Sequence, residues 1–351
     1  QKQASLCYKK LSMSKKNSIV LSHKNSLSGS ERITRLYLNF KKKILKYKTN
    51  KFLVAVSGGP DSLALAAMCK VFEMNNTNKK FYYIHINHGI RKSSKKEAEH
   101  VRRILSKQKI TLKIVNNKKK IKNNIQHNAR KIRYALLNKE SKKKNIRLVL
   151  TAHHKDDQIE TFLIRLSRGS GIQGLSSMSL TSLIDNKTKL MRPFLSESKA
   201  ELIFASKKIF GYYVKDPSNK NQKFLRSKIR KLLPILKKYG IKDDQIIKSI
   251  NNLKSSTNTI NTYFNEVVKK IVKKKNRNFI INRNDLFFLN DELQIKILGF
   301  VIKSLSKSDY PPRSKKIINA LKFLNIKSEM NYHLAGCWMI SKKSHIYIKK
   351  A

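Results

Sequence analysis

The sequence predicts an α/β domain built on a parallel sheet, followed by a mostly helical region that closes with a small β-hairpin. Strand-like apolar runs and helix-like periodic runs alternate four times between Phe52 and Arg168, the pattern of repeated strand–helix units. The strand runs are almost continuously apolar, as strands covered on both faces must be. Three of the four end in polar clusters, which in such a sheet gather at its carboxyl edge, where ligands bind.

Taken in order, a basic lead-in over 1–48 contains a short helix at 33–47. Residues 52–56 form the first strand and 63–72 the first helix. The second strand, 81–86, ends in Asn87-His88-Gly89-Ile90-Arg91 and is followed by a Lys- and Glu-rich helix over 93–107. After a third strand at 111–115, the helix over 123–143 carries Ala129, Ile132, Ala135 and Leu136 at three- and four-residue spacing, which predicts that these face the core. The fourth strand, 147–152, leads into His153-His154 and a helix at 159–168. Residues 190–195 hold Arg192-Pro193, 198–210 is helical, Asp216-Pro217-Ser218-Asn219 is a turn, and 224–234 is a basic helix. Long amphipathic patterns over 243–275 and 285–306, a helix at 314–324, and alternating stretches at 332–334 and 345–348 that read as a hairpin complete the chain. The expected organisation is a lead-in over 1–48, an α/β domain over 49–240 and a C-terminal domain over 241–351, with the boundary near Gly240-Ile241. Trp338 and Phe224 are expected in the core, and His85 and His127 in structural roles.

At 351 residues and 40% hydrophobic content, the chain is long enough for two domains and a sizeable core. It has no run of eighteen uncharged apolar residues, which argues against a helical membrane span. The net charge of +57, from 78 Lys and Arg against 21 Asp and Glu, points to polyanions, because each cation that displaces a phosphate counterion adds salt-sensitive affinity. Abundant Lys, Asn and Ile also fit a codon bias towards A and T, so charge supports a nucleic-acid partner without identifying one. Cys7, Cys69 and Cys337 are far apart with no zinc spacing, which predicts a reducing compartment and no structural metal. The Lys- and Ser-rich start leaves three readings open: a processed or truncated beginning, a flexible basic arm, or the remnant of a transit segment.

The chemistry begins at Ser57-Gly58-Gly59-Pro60-Asp61-Ser62, between the first strand and the first helix. Two glycines allow a tight turn with exposed amides, and Pro60 suits the first helical position, so amides and helix dipole converge on one anion. No Gly-Lys-Ser/Thr follows, so this is not the P-loop with its phosphate-binding lysine. A plain turn with a Ser/Asp cap is the competing reading. The second constellation is His153-His154-Lys155-Asp156-Asp157-Gln158-Ile159-Glu160. A helix starting near Lys155 puts Asp156 and Glu160 on one face, and carboxylates suit Mg²⁺, although acids at a helix start also serve as dipole partners. Gly169-Ser170-Gly171-Ile172-Gln173-Gly174 spells a dinucleotide pattern, but it follows a predicted helix and not a strand, so it reads as a loop.

The loop Ser57 to Ser62 resembles the pyrophosphate loop of the N-type ATP pyrophosphatases. With His88-Gly89-Ile90-Arg91, Ala129-Arg130, Arg133-Tyr134, Thr151 to Thr161, Arg168 to Gly171, Arg192-Pro193, Asp216 to Asn219 and Arg226 to Arg230, in that order, the chain is similar to the tRNA(Ile)-lysidine synthetases. The similarity runs over residues 51–236 and weakly reaches Leu334-Ala335-Gly336-Cys337. Asn87 stands where that family often has Asp, and Ser227 where Asn is common.

The resemblance implies a carbon–nitrogen ligase that uses ATP and Mg²⁺. ATP adenylates C2 of the wobble cytidine in an isoleucine tRNA with a CAU anticodon, and free L-lysine then displaces AMP. It implies ATP contacts from Ser57, Gly58, Gly59, Pro60, Asp61, Ser62, His88 and Arg91, with Asp61 and Asp157 on the metal. It implies catalytic roles for Asp61, Asp157, His154 and Arg130, and substrate contacts from Asp156, Glu160, Arg133, Arg168, Arg192, Arg226 and Arg230. The implied compartment is the bacterial cytoplasm, with an organellar matrix or stroma left open, as is a homodimer. Two alternatives remain: an adenylating enzyme that inserts sulfur into a tRNA base, and a basic RNA-binding protein with a degenerate loop.

Overall fold

A computed structural model describes residues 30–91, 93–117, 125–211, 213, 225–276, 278–306, 308, 311–326, 329 and 331–351. The chain divides into two compact units, one ending at Asn251 and the other Asn252–Ala351. The turn at 216–219, Phe224 and Cys7 lie outside the described residues.

In the first unit, α1 (Glu31–Ile44) buries Ile33, Leu36, Tyr37, Phe40 and Ile44, a three- and four-residue stripe that fixes one face inward. Strand and helix then alternate through β1 (Lys51–Ala55), α2 (Pro60–Asn75), β2 (Lys80–Asn87), α3 (Ser94–Ser106), β3 (Leu112–Asn116), α4 (Ile125–Lys143), β4 (Leu148–Leu150) and α5 (Lys155–Leu166). A short α6 (Ile172–Leu175), β5 (Thr181–Leu183), β6 (Lys189–Met191), α7 (Lys199–Phe210) and α8 (Leu225–Lys238) follow. The sheet order is β3-β2-β1-β4-β6-β5, with every pairing parallel except β5 with β6. Both faces are covered: Phe52 and Val54 join the larger cluster with α1, α2 and α7, whereas Leu53 and Val149 pack with Leu137 of α4. Phe52 and Phe81 stack at 4.6 Å between ring centroids, and Phe72 meets Phe81 and Phe40 edge-on. This is the covered parallel sheet that the continuous apolar strands require.

Local details depart from the sequence reading in instructive ways. The expected core face of α4 is displaced: Ala135 is exposed, and the core takes Leu137 with Tyr134 packed against it. Apolar spacing located the helix but not its rotation, because small alanines pull weakly on either face. The basic helix α8 runs through Pro234 to Lys238. The glycine run after α5 follows a helix, as read, and Gly169 adopts φ +65°.

The division between the units falls inside α9 (Asp243–Ile271), whereas the boundary read at Gly240-Ile241 lies in the turn before it. The second unit continues with β7 (Val272–Lys275), β8 (Asn278–Asn282), α10 (Arg283–Phe288), α11 (Asp291–Ser306), α12 (Ser314–Ile326), β9 (Asn331–Leu334), β10 (Cys337–Ser341) and β11 (His345–Lys350). Its antiparallel sheet has the order β7-β8-β11-β10-β9. The two stretches read as a hairpin are β9 and β11, and β10 pairs with both. Val-Lys-Lys-Lys at 272–275 continues the helical pattern in sequence, but Asn276 turns at φ +54° and returns the chain along β8. Trp338, expected in the core, is 40% exposed, because strand alternation points it away from the buried Cys337 and Met339. Among the described residues, no helix is long and apolar enough to cross a membrane.

Candidate active site

The parallel sheet presents the carboxyl ends of β1, β2 and β4 side by side. Beyond β1 the chain turns through Gly58 at φ +92°, a left-handed conformation that only glycine adopts cheaply. Gly59 then caps α2 and Pro60 fills its first position. The Ser62 hydroxyl organises this turn. It receives the amides of Ser57 at 3.1 Å and Gly58 at 3.0 Å, lies 3.2 Å from the Ser57 hydroxyl, and donates to the Gly59 carbonyl at 2.9 Å. The first intrahelical bond runs from Leu63 to Gly59, so the amides of Asp61 and Ser62 form the open, positive end of α2. The loop's own serine thus holds two of the expected phosphate donors, and the helix end supplies others.

Across from Asp61 stands His154, the N-cap of α5, with its side chain only 3% exposed. Its Nε2 lies 3.6 Å from Asp61 Oδ2 and 3.5 Å from Asp157 Oδ2, and its Nδ1 lies 3.7 Å from Asp156 Oδ1. Burial opposes its protonation, but Asp61, Asp157 and Asp156 outweigh burial and raise its pKa above the usual histidine value. The reverse holds at Asp157. Burial alone would raise the pKa of that carboxyl, yet His154, Arg226 and the His154 amide, donated at 3.2 Å, keep it below its usual range. Asp156 is also committed to structure, accepting the Lys199 amide at the start of α7.

The other two histidines at this edge are neutral. Burial, with help from Arg192, Arg130 and Arg226, lowers His153 to about 3, and its Nδ1 sits 2.9 Å from the Thr151 hydroxyl. Burial, then Arg133 and His85, lowers His88 to about 4, and both its buried ring nitrogens are without a hydrogen-bond partner among the described residues. His88 follows the end of β2 beside Gly89, which turns at φ +66°. His85, read as structural, holds the Val56 carbonyl at 2.9 Å and so ties β2 to the root of the phosphate loop.

The arginines differ in their surroundings. Arg192 is buried and bonded to the Ser179 carbonyl and the Ser182 hydroxyl. With the exposed Arg130, whose guanidinium lies 5.0 Å from the Tyr134 ring, it contributes to the field at His153. Arg133 is exposed on the same helix and acts on His88 and His85. Arg226 and Arg230 both bind Glu160: Arg230 Nε lies 2.5 Å from Oε1, and Arg226 Nε 3.0 Å from Oε2. Arg226 also reaches the Thr161 hydroxyl. Glu160 is 3% exposed, so this triad ties α8 to α5. Arg91 pairs with Glu97 at 3.2 Å. Arg168 is exposed beyond the C-terminal end of α5, about 18 Å along a twelve-residue helix from His154 at 1.5 Å per residue.

Asp61 Oδ1 is buried and has no hydrogen-bond partner among the described residues. Among the described residues no group of three His, Cys, Asp or Glu side chains forms a cage for a metal. An orphaned carboxylate oxygen without a cage suits Mg²⁺, which takes one or two carboxylates and completes its shell from phosphates and water. Sequence reading missed the positioning residues. Thr151 holds His153, and Tyr134 lies under Arg130. Gln158 pins the following loop, accepting the Met178 amide and donating to its carbonyl. Each lies inside a string already singled out, which was the only signal available for it.

Residues 30–236 match the family described as the PP-loop domain. The chain is 33% identical over 297 residues to the tRNA(Ile)-lysidine synthase of Wolbachia pipientis wMel, covering 83% of this chain and 68% of that protein. It is 32% identical to the enzyme of the same name from the Wolbachia of Brugia malayi, over 82% of this chain and 68% of that one. The Buchnera aphidicola enzyme of that name is 36% identical over 66% of this chain and 52% of its own length. Among solved structures, the U34-tRNA thiolase NcsA from Methanococcus maripaludis aligns with a TM-score of 0.54 and 19% identity, covering 63% of this chain and 79% of that one. That likeness speaks for the fold alone.

Proposed function

The chain belongs to the tRNA(Ile)-lysidine synthase family of PP-loop proteins, and we propose how its own residues carry out that ATP-dependent ligation. The observation that carries the reading is that Asp61 of the phosphate loop and Asp157 of α5 flank one buried imidazole, His154.

The open end of α2 receives the pyrophosphate part of ATP, with Ser62 setting the loop's curvature. Asp61 and Asp157 hold Mg²⁺, which when bound supplies charge neutralisation for the departing phosphates. His154 keeps the two carboxylates in position while sharing a proton with them. Arg130 and Arg192 face charge that develops as the cytidine oxygen is adenylated. Neutral His153 and His88 line the site without adding cationic charge, so the positive field comes from fixed arginines. The lysine ammonium is drawn to carboxylates, and Asp156, which takes the Lys199 amide through Oδ1 but keeps its side chain 39% exposed, meets it at the helix start. Glu160 acts through the arginines it holds. The substrates are free L-lysine and an isoleucine tRNA with a CAU anticodon.

Among the described residues, sulfur insertion finds no cysteine at this edge. Cys69 is fully buried in the core on α2, where burial pushes its thiol pKa well up, and buried Cys337 lies in the second unit. The deciding experiment is transfer of labelled lysine, with ATP and Mg²⁺, to an isoleucine tRNA bearing CAU, beside a methionine tRNA with the same anticodon. Label in the first alone, with AMP and pyrophosphate released, is expected. Pyrophosphate without label would move the reading to a different nucleophile.

A further inference from the structure

The antiparallel sheet of the second unit has one face committed and one open. Ile281, Ile346, Ile348 and Met339 are buried in its core. Alternation turns the intervening residues outward. Register places His333, Trp338 and Lys349 in one outward row, and Ile340, Tyr347, Ile280 and Lys273 in the next. Trp338 is 40% exposed and Tyr347 37%, so two large rings stand on the open face at diagonal positions, whose backbones in such a pair are about 7–8 Å apart. His333 flanks the first at 4.9 Å, and Lys342 Nζ lies 5.6 Å from the second ring. None of the five strands contains an acidic residue.

Exposed aromatic planes among cations, without a carboxylate, are chemically complementary to unpaired nucleotides. The rings accept base faces while the lysines meet the backbone phosphates. A duplex hides its base faces and would use only the lysines. We infer that the outer face of this sheet binds single-stranded RNA by stacking bases on Trp338 and Tyr347, an inference that rests on the tRNA substrate proposed above for its biological ligand. Nothing in the adenylation site depends on it.

The test exploits the fact that Trp338 is the sole tryptophan, so its emission reports on this face. The full chain is titrated with a single-stranded RNA oligonucleotide, a duplex of equal length, and heparin. The single strand is expected to quench Trp338 strongly, and the duplex and heparin only weakly. By fluorescence anisotropy of labelled RNA, Tyr347→Ala and Trp338→Ala each weaken single-strand binding about tenfold, while Trp338→Phe retains it. Equal quenching by all three polyanions, or unchanged single-strand affinity in both alanine variants, would overturn the inference. So would an emission shift with protein concentration in the absence of RNA, which would make a second copy the occupant. Loss of lysine transfer in the unaltered chain with single-strand quenching intact would sink the proposed reaction and leave the RNA face standing.

Discussion

Asp157 and Glu160 stand about one turn apart on α5, and their surroundings differ in kind. Glu160 is 3% exposed and receives two guanidinium groups; its charge is spent on joining two helices. Asp157 faces a shared imidazole that also serves Asp61, whose other oxygen has no hydrogen-bond partner among the described residues. Saturated ion networks resist change, whereas a cluster with more acceptor capacity than donors is poised to take a cation or an ammonium. The same eight-residue string therefore contains a fastener and part of the cluster proposed above as the reaction centre.

Substitutions at each place separate the two roles. Asp61→Asn removes charge from the poised cluster without touching the fastener. Pyrophosphate release is expected to fall by about a thousandfold, the upper range for loss of a charge-stabilising group, with thermal stability and tRNA affinity nearly unchanged. A substantial residual rate would end the assignment of Asp61. Glu160→Ala should do the opposite, leaving two half-buried arginines without their shared carboxylate at a cost of about 1–3 kcal/mol in stability, discounted for their exposure. Urea unfolding measures this, and replacing Glu160, Arg226 and Arg230 together by apolar residues should recover most of it. If Glu160→Ala unfolds normally but blocks lysine transfer, the comparison is reversed and Glu160 belongs to the reaction.

Two smaller effects sharpen the contrast. Ser62→Ala strips the hydroxyl that gathers two loop amides and should weaken apparent ATP affinity about fivefold, the equivalent of about 1 kcal/mol for one hydrogen-bonded group. A kinetic titration of ATP checks it. Glu140, buried on α4 and paired with Lys113 and Lys143, is a control. Burial would raise its pKa, but Lys113 and Lys143 hold it below the ordinary carboxylate value. A depressed folded-state pKa contributes stability above the unfolded value of about 4.3, which disappears as pH falls through the folded value. Glu140→Gln should thus cost about 1 kcal/mol or less at neutral pH, discounted for the exposed lysines, and almost nothing in strong acid. A penalty independent of pH would assign its role to packing.

Much of this was legible in the sequence, for identifiable reasons. The strands of the first unit, the phosphate turn with its glycine at φ +92°, and the acid-rich start of α5 each follow from residues close together in the chain. Gly58 needs no tertiary partner to favour its turn, and four apolar strands need no coordinates to require cover on both faces. The rotation of α4 was not legible, because its alanines do not distinguish core from solvent. Nor was β7, where three lysines extend a helical pattern until Asn276 reverses the chain. Trp338 was misread because a lone aromatic ring is usually buried, and the registration of β10 between β9 and β11 turned it out.

Sequence alone carried the chemistry's inventory: a phosphate turn, acids and histidines at strand ends, and cations throughout, since backbone preference and residue type are local properties. Partner choice among those residues came from the fold. Arg226 and Arg230 were read as RNA contacts and pair with Glu160, some seventy residues away in sequence, whereas Asp61 and Asp157 meet across His154. Coulomb energy and desolvation depend on distance and burial, and those exist only once the chain has closed on itself.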